Sequence, residues 1–153
     1  MSFQLFQQQL LIGQVYEEKA IERVIQYYKH KHSLKCRNND NRFDFEMSNG
    51  KLFEVKADMM ALKTGNVFIE VIGFNKPAGL AVTQAHYYII MYHSSTGCLF
   101  EPIQENYVMV TVKKLKKLLS DSKDKYHYYS DEYKAGYLVP IQDIVEAGIL
   151  FEW

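Results

Sequence analysis

The stretch FDFEMSNGKLFEVKAD, positions 43–58, constrains the fold more than any other. Two runs of alternating apolar and charged residues flank Ser-Asn-Gly, the pattern of a β-hairpin. A two-residue loop of Asn49-Gly50 would pair Ser48 with Lys51. It would place Phe43, Phe45 and Met47 on the face of Glu54 and Lys56, mixing polar and apolar side chains on both faces. A three-residue loop, Ser48-Asn49-Gly50 with Gly50 left-handed, pairs Met47 with Lys51, Phe45 with Phe53 and Phe43 with Val55. That register makes one continuous apolar face, and burial of the face selects it. It also sets Asp44 opposite Glu54, with Lys56 following on Glu54's face.

Opposed carboxylates destabilise a sheet. At ~5 Å and an effective dielectric of ~20 their repulsion is ~3 kcal/mol if both are ionised. Lys56 offsets part of this, and a divalent cation held by hard oxygen ligands would offset the rest. A solvated charged face on an ordinary hairpin is the competing reading.

With 153 residues the chain suits a single domain spanning 1–153. Its 18 basic and 18 acidic side chains cancel, so any attraction for a nucleic acid must be local. The two cysteines, Cys36 and Cys98, read as reduced packing residues, and the N-terminus lacks the charged n-region of a signal peptide. No apolar run approaches a membrane span, so a soluble, cytoplasmic protein with no membrane partner is expected, in a host's cytoplasm if viral. The 12 Tyr and 9 Phe read as core edge and carry no functional weight.

Ile21, Val24, Ile25 and Tyr28 recur at helical spacing and predict an amphipathic helix over 13–31. One turn back, that stripe reaches Glu17 and Glu18. Either the helix dipole at a first turn or a role near the sheet accounts for them. Residues 34–37 suggest a short strand, and His30 and His32, two apart, read as surface. After the hairpin, 60–66 reads as a loop, NVFIEVIGF as a third strand, NKPAGLAVTQA as a turn leading into a short helix, and HYYIIMY as a buried strand. Thr111 is placed to cap a helix burying Val112, Leu115, Leu118 and Leu119, with Lys113, Lys114, Lys116 and Lys117 solvated. A strand ending at Pro140 and a short helix close the chain.

A helix bearing Glu17, then Asp44, then Glu54-Val55-Lys56 on the return strand, followed by strand, helix and strand, resembles the PD-(D/E)XK nuclease superfamily. The motif is D-x9-E-x-K, and the likeness covers roughly residues 13–92. It is similar to the small phage-type endonucleases and Holliday-junction resolvases, which also carry an acid on the first helix. Phe43 stands where the family's proline would be. The resemblance implies an α/β, restriction-endonuclease-like core, a mixed central β-sheet flanked by helices in the order α-β-β-β-α-β.

It further implies a metal-dependent endonuclease hydrolysing DNA phosphodiester bonds, selective for junction or branched structure. Asp44, Glu54 and the Val55 carbonyl would bind Mg²⁺ or Mn²⁺. Lys56 would act beside the attacking water, and Glu17, with Glu18 as the fallback, would bind a second metal or a metal-bound water. Glu70 either joins this cluster or faces solvent. DNA is the implied partner, and a homodimer is admitted. Phosphate contacts are expected from a strip of Lys29, Lys31, Lys35 and Arg37 with Lys63 or Lys76, and from Thr64, Asn66 and Thr83, for which turn and capping roles compete. The alternative is a nuclease-fold binding or interaction module without activity.

Overall fold

The hairpin closes through the three-residue loop. In the computed structural model, which describes residues 3–38, 42–58, 60–94, 104–122 and 124–150, Gly50 has φ +79° and donates its N–H to the Met47 carbonyl at 2.9 Å. Phe45 stands opposite Phe53, and the Met47 N–H reaches the Lys51 carbonyl at 3.0 Å. The apolar face stops one residue short of expectation. Asp44 donates its N–H to the Phe53 carbonyl, and the Asn38 N–H bonds the Asp44 carbonyl, each at 2.8 Å. These bonds bend the chain out of the strand, so Phe43 packs in a different core from Val55.

The chain runs α1 (Phe3–Tyr27), β1 (Leu34–Arg37), β2 (Phe45–Met47), β3 (Leu52–Asp58), α2 (Ala61–Thr64), β4 (Asn66–Gly73), β5 (Lys76–Pro77), a 3-10 turn (Gly79–Ala81), β6 (Tyr87–Ser94), β7 (Gln104–Thr111), α3 (Val112–Ser122), β8 (His127–Ser130), β9 (Lys134–Pro140), α4 (Ile141–Ala147) and β10 (Ile149–Leu150). Two sheets form. The larger is mixed, ordered β1-β2-β3-β6-β7-β10, with β3 and β6 parallel. The smaller is antiparallel, ordered β5-β4-β9-β8. The architecture is thus α/β, with a mixed sheet flanked by helices.

Several elements depart from expectation. The strand at 66–73 forms, but it joins the small sheet and not the hairpin's. A helical turn, α2, replaces part of the loop, and a 3-10 turn stands where a short helix was expected. The first helix begins at Phe3, so Glu17 and Glu18 lie in its interior, beyond the reach of the first-turn dipole that would favour them. Cys36 is exposed, not packed; Cys98 lies outside the described residues. The Thr111 cap forms, its Oγ1 accepting the Lys114 N–H at 3.1 Å.

The large sheet is covered on both faces. On one, Tyr16, Ala20, Ile21 and Val24 of α1 pack over Phe45, Phe53, Ile89 and Met109. On the other, Tyr88, Ile90, Val108 and Val110 meet Leu115 of α3, Ile144 of α4 and Val67, Ile69 and Val139 of the small sheet. Because side chains alternate along a strand, Phe53 and Val55 go to the α1 side, and Glu54 and Lys56 go to the seam between the sheets. Among the described residues, no helix is long and apolar enough to cross a membrane.

Candidate active site

The hairpin's inequality of length creates the site. β2 begins only at Phe45, whereas β3 runs on to Asp58, leaving the Val55 N–H beyond the reach of a β2 carbonyl. The Asp44 carboxylate takes it instead, Oδ2 accepting the Val55 N–H at 2.6 Å. Asp44 is therefore held against β3 by the backbone of the motif's middle residue. Burial first, then the charge of Glu54, pushes the Asp44 carboxyl up to about 6, against the pull of the Val55 N–H and of Lys56.

Glu54 is 6% exposed. Its Oε1 receives the Lys56 ammonium at 2.8 Å, while its Oε2 is buried with no hydrogen-bond partner among the described residues. Burial works against the Lys56 ammonium, but the charge and hydrogen bond of Glu54, with Asp44 and Glu70 adding, hold the amine above its ordinary value. Lys56 is consequently charged, and its side chain, 39% exposed, lines a cleft. That cleft, 540 Å³, lies where the end of β3 meets β4 and β9, and Lys56, Asp58, Glu70, Tyr88 and Lys134 are among its lining residues.

Of the two helix acids, Glu17 faces this region. It is 18% exposed against 66% for Glu18, it accepts from Arg37 Nε at 2.7 Å, and its charge acts on Asp44. Asp44, Glu54, Val55 and Lys56 are therefore brought together, with Glu17 within electrostatic reach. Glu70 lines the same cleft, and its charge acts on Lys56. Among the described residues, no three Asp, Glu, His or Cys side chains converge as a ready cation cage. A cation here would rest on Asp44, Glu54 and backbone oxygen, with water completing its shell.

The expected phosphate contacts are dispersed. Lys35 is spent on Glu46 at 2.9 Å, and Arg37 on Glu17 and Glu18. Lys29, Lys31, Lys63 and Lys76 are exposed. Thr64 and Asn66 line the cleft, yet they also bond each other: the Thr64 Oγ1 accepts the Asn66 N–H at 3.2 Å. Thr83 is tied to the Arg42 carbonyl at 3.0 Å and accepts the Ala85 N–H, a turn role away from the cleft lining.

Three cleft residues had no place in the sequence reading. Asp58 continues the Glu54 and Lys56 face, a signal present in FEVKAD. Its two oxygens accept the Met60 and Phe68 N–H groups at 3.0 and 2.9 Å, stitching β3 to β4. Tyr88 sat in an apolar run that reads as core. Lys134 comes from β9, far along the chain, and lies over the Phe68 ring at 5.0 Å. No protein-family model matches this chain, and no curated protein matches it either.

Proposed function

We propose that the protein is a metal-dependent endonuclease that hydrolyses DNA phosphodiester bonds, with preference for junction or branched structure, on a restriction-endonuclease-like core of the PD-(D/E)XK type. In this reading the core is α1, β1, β2 and β3, followed by β6 parallel to β3. Residues 60–86, which include β4 and β5 of the small sheet, are an insertion within the crossover between the two parallel strands.

The observation that carries the proposal is Glu54: a carboxylate walled into the sheet, one oxygen on Lys56 and the other without a partner, beside an Asp44 that is itself crowded by negative charge. An ordinary solvated hairpin face has neither the burial nor the unpartnered oxygen. Both fit a hard cation, which neutralises paired carboxylates at the cost of no further side chain. Asp44, Glu54 and the Val55 carbonyl are the groups that would hold Mg²⁺ or Mn²⁺. In an extended strand the carbonyl of a residue points to the same edge as its N–H, and the Val55 N–H points to Asp44. When bound, the cation would polarise a phosphate oxygen and acidify a water.

The chain's own groups supply the rest. Lys56 presents its positive charge to the cleft it lines, where it would meet the negative charge that builds on the phosphoryl oxygens during attack. Glu54 orients that ammonium through its 2.8 Å contact. Glu17 accepts from Arg37 Nε and steadies that guanidinium against the same end of the sheet. The water oxygen bonds to phosphorus as the bond from phosphorus to the leaving oxygen breaks; the water gives up a proton to solvent, and the departing oxygen takes one from solvent.

The test is a panel of plasmid, single-stranded, flap and four-way-junction DNA with Mg²⁺ or Mn²⁺, alongside Asp44→Ala and Glu54→Gln. Cleavage that requires metal and both acids is expected, strongest on branched substrates. A folded wild type that cuts none of them, or variants that cut as well as wild type, overturns the reading.

A further inference from the structure

Next to Glu54, a second buried group has no hydrogen-bond partner among the described residues. Tyr88 is 2% exposed, sits beside Glu54 in the parallel β3–β6 register, and lines the cleft with Lys56 and Glu70. Its hydroxyl makes no hydrogen bond among the described residues. Glu54 Oε2 is in the same condition one strand away. Buried donors and acceptors are satisfied almost without exception, so two neighbouring orphans on one face of one sheet call for a common explanation. Packing does not supply it: the Tyr88 ring belongs to the apolar core under the small sheet, and phenylalanine would fill that volume with no polar atom to satisfy. The chemistry is complementary, because a neutral phenol donates and a carboxylate accepts. Burial first, then the charges of Glu54, Asp44 and Glu70, raise the phenol above its ordinary value and keep it protonated.

We propose that Tyr88 is a ligand-binding residue of this site, its hydroxyl donating a hydrogen bond to an oxygen atom held between it and Glu54. The identity of that oxygen rests on the nuclease reading. It belongs either to a cation-bound water or to a non-bridging phosphate oxygen of the DNA. Lys56 is committed to Glu54 Oε1, which leaves the Tyr88 hydroxyl as the neutral donor for the other side of the carboxylate. A site built this way sacrifices stability in the free protein for a donor already in place when the ligand arrives.

Tyr88→Phe tests this with readouts that a structural tyrosine would not give together. The variant without metal should melt no lower than wild type, and by this argument higher, since it removes an unsatisfied hydroxyl. Single-turnover cleavage at saturating protein should fall by about tenfold or more, the loss of one hydrogen bond in the transition state. If the oxygen is a cation-bound water, the rise in melting temperature caused by Mn²⁺ alone should also shrink. If it is a phosphate oxygen, that rise is unchanged and only the DNA-dependent step suffers. A Tyr88→Phe protein that melts lower than wild type, or that matches it in both Mn²⁺ response and cleavage, overturns the role of Tyr88 and leaves the nuclease reading standing. A wild type that responds to Mn²⁺ but cuts nothing removes the nuclease reading, and the Mn²⁺ response of Tyr88→Phe then decides: unchanged, it overturns the role of Tyr88 as well. A wild type that does neither takes both down.

Discussion

Lys56 and Asp44 carry opposite consequences for the same few cubic ångströms. Lys56 lies on the seam side of β3, away from Phe53 and Val55, so removing its amine spares the apolar packing. Lys56→Ala should therefore fold and bind DNA while its single-turnover cleavage drops ~10²-fold, as for the removal of one electrostatic stabiliser worth ~3 kcal/mol. Circular dichroism and binding on the same preparation separate lost chemistry from lost structure. For Asp44 the effect is on stability. Its folded pKa is raised from 3.8 to about 6, so the folded state holds the proton more tightly than the unfolded one. The resulting stabilisation is fully present below pH ~4 and is lost as pH climbs through ~6, a swing of up to ~3 kcal/mol. Asp44→Asn keeps an acceptor for the Val55 N–H and carries no charge. Without metal it should melt above wild type at pH 7.5, and the difference should vanish near pH 4. Melting curves at the two pH values check it, and an equal gap at both would contradict the assignment of strain to Asp44.

At the scale of elements, glycines report how differently the two sheets are held. Gly50 has a left-handed φ but open space around an added Cβ, so Gly50→Ala should cost only the backbone preference, ~1 kcal/mol. Gly136 sits in β9 opposite Glu70, and a Cβ there would lie 2.2 Å from the Ile69 carbonyl oxygen. Gly136→Ala must push β4 from β9 and should destabilise by several times as much; urea titrations of the two variants compare them. The hairpin was legible because only one register makes an apolar face, and the Thr111 cap because a hydroxyl before Val-x-x-Leu has few other uses. The strand at 66–73 was legible as a strand but not as a member of the small sheet, since alternation specifies which side is buried and is silent on which neighbour pairs. β8, HYYS, is exposed along its whole length and leaves no alternation to read. Phe43 was misplaced because nothing in FDFEM reveals that the Asn38 and Asp44 backbones bond to bend the chain. In the site, Asp44, Glu54 and Lys56 are local to one hairpin and could be grouped from spacing. Tyr88 and Lys134 reach the cleft through pairings between strands distant in sequence, which spacing does not encode.

For the whole molecule, zero net charge means that the DNA affinity proposed above would have to come from where the cations are and which are already engaged. Lys35 and Arg37 are partly neutralised by Glu46, Glu17 and Glu18. Lys29, Lys31, Lys63 and Lys76 are exposed, as are Lys113, Lys114, Lys116 and Lys117 on α3. If the strip near the hairpin makes the phosphate contacts, affinity should fall steeply with salt, and reversing Lys63 and Lys29 should flatten that dependence. Reversing the four α3 lysines should leave the slope nearly unchanged. Filter binding across a salt series distinguishes the two surfaces, and loss of binding only in the α3 variant would move the interface to that helix.

The uneven hairpin has a consequence for the order in which the molecule assembles. Asp44 and Glu54 are ten positions apart and meet by closing a short loop, an event of microseconds. The wall that buries them is of another kind: β6 joins β3 in parallel only after an intervening stretch that includes α2, β4 and β5, and β4 must find β9 from the far end of the chain. Such pairings close large loops and form late. The acidic pair is thus gathered while still in water, where its repulsion is weak, and is desolvated only when the second sheet docks. A divalent ion present during refolding would meet its ligands before the walls close, and should speed the last step more than the first.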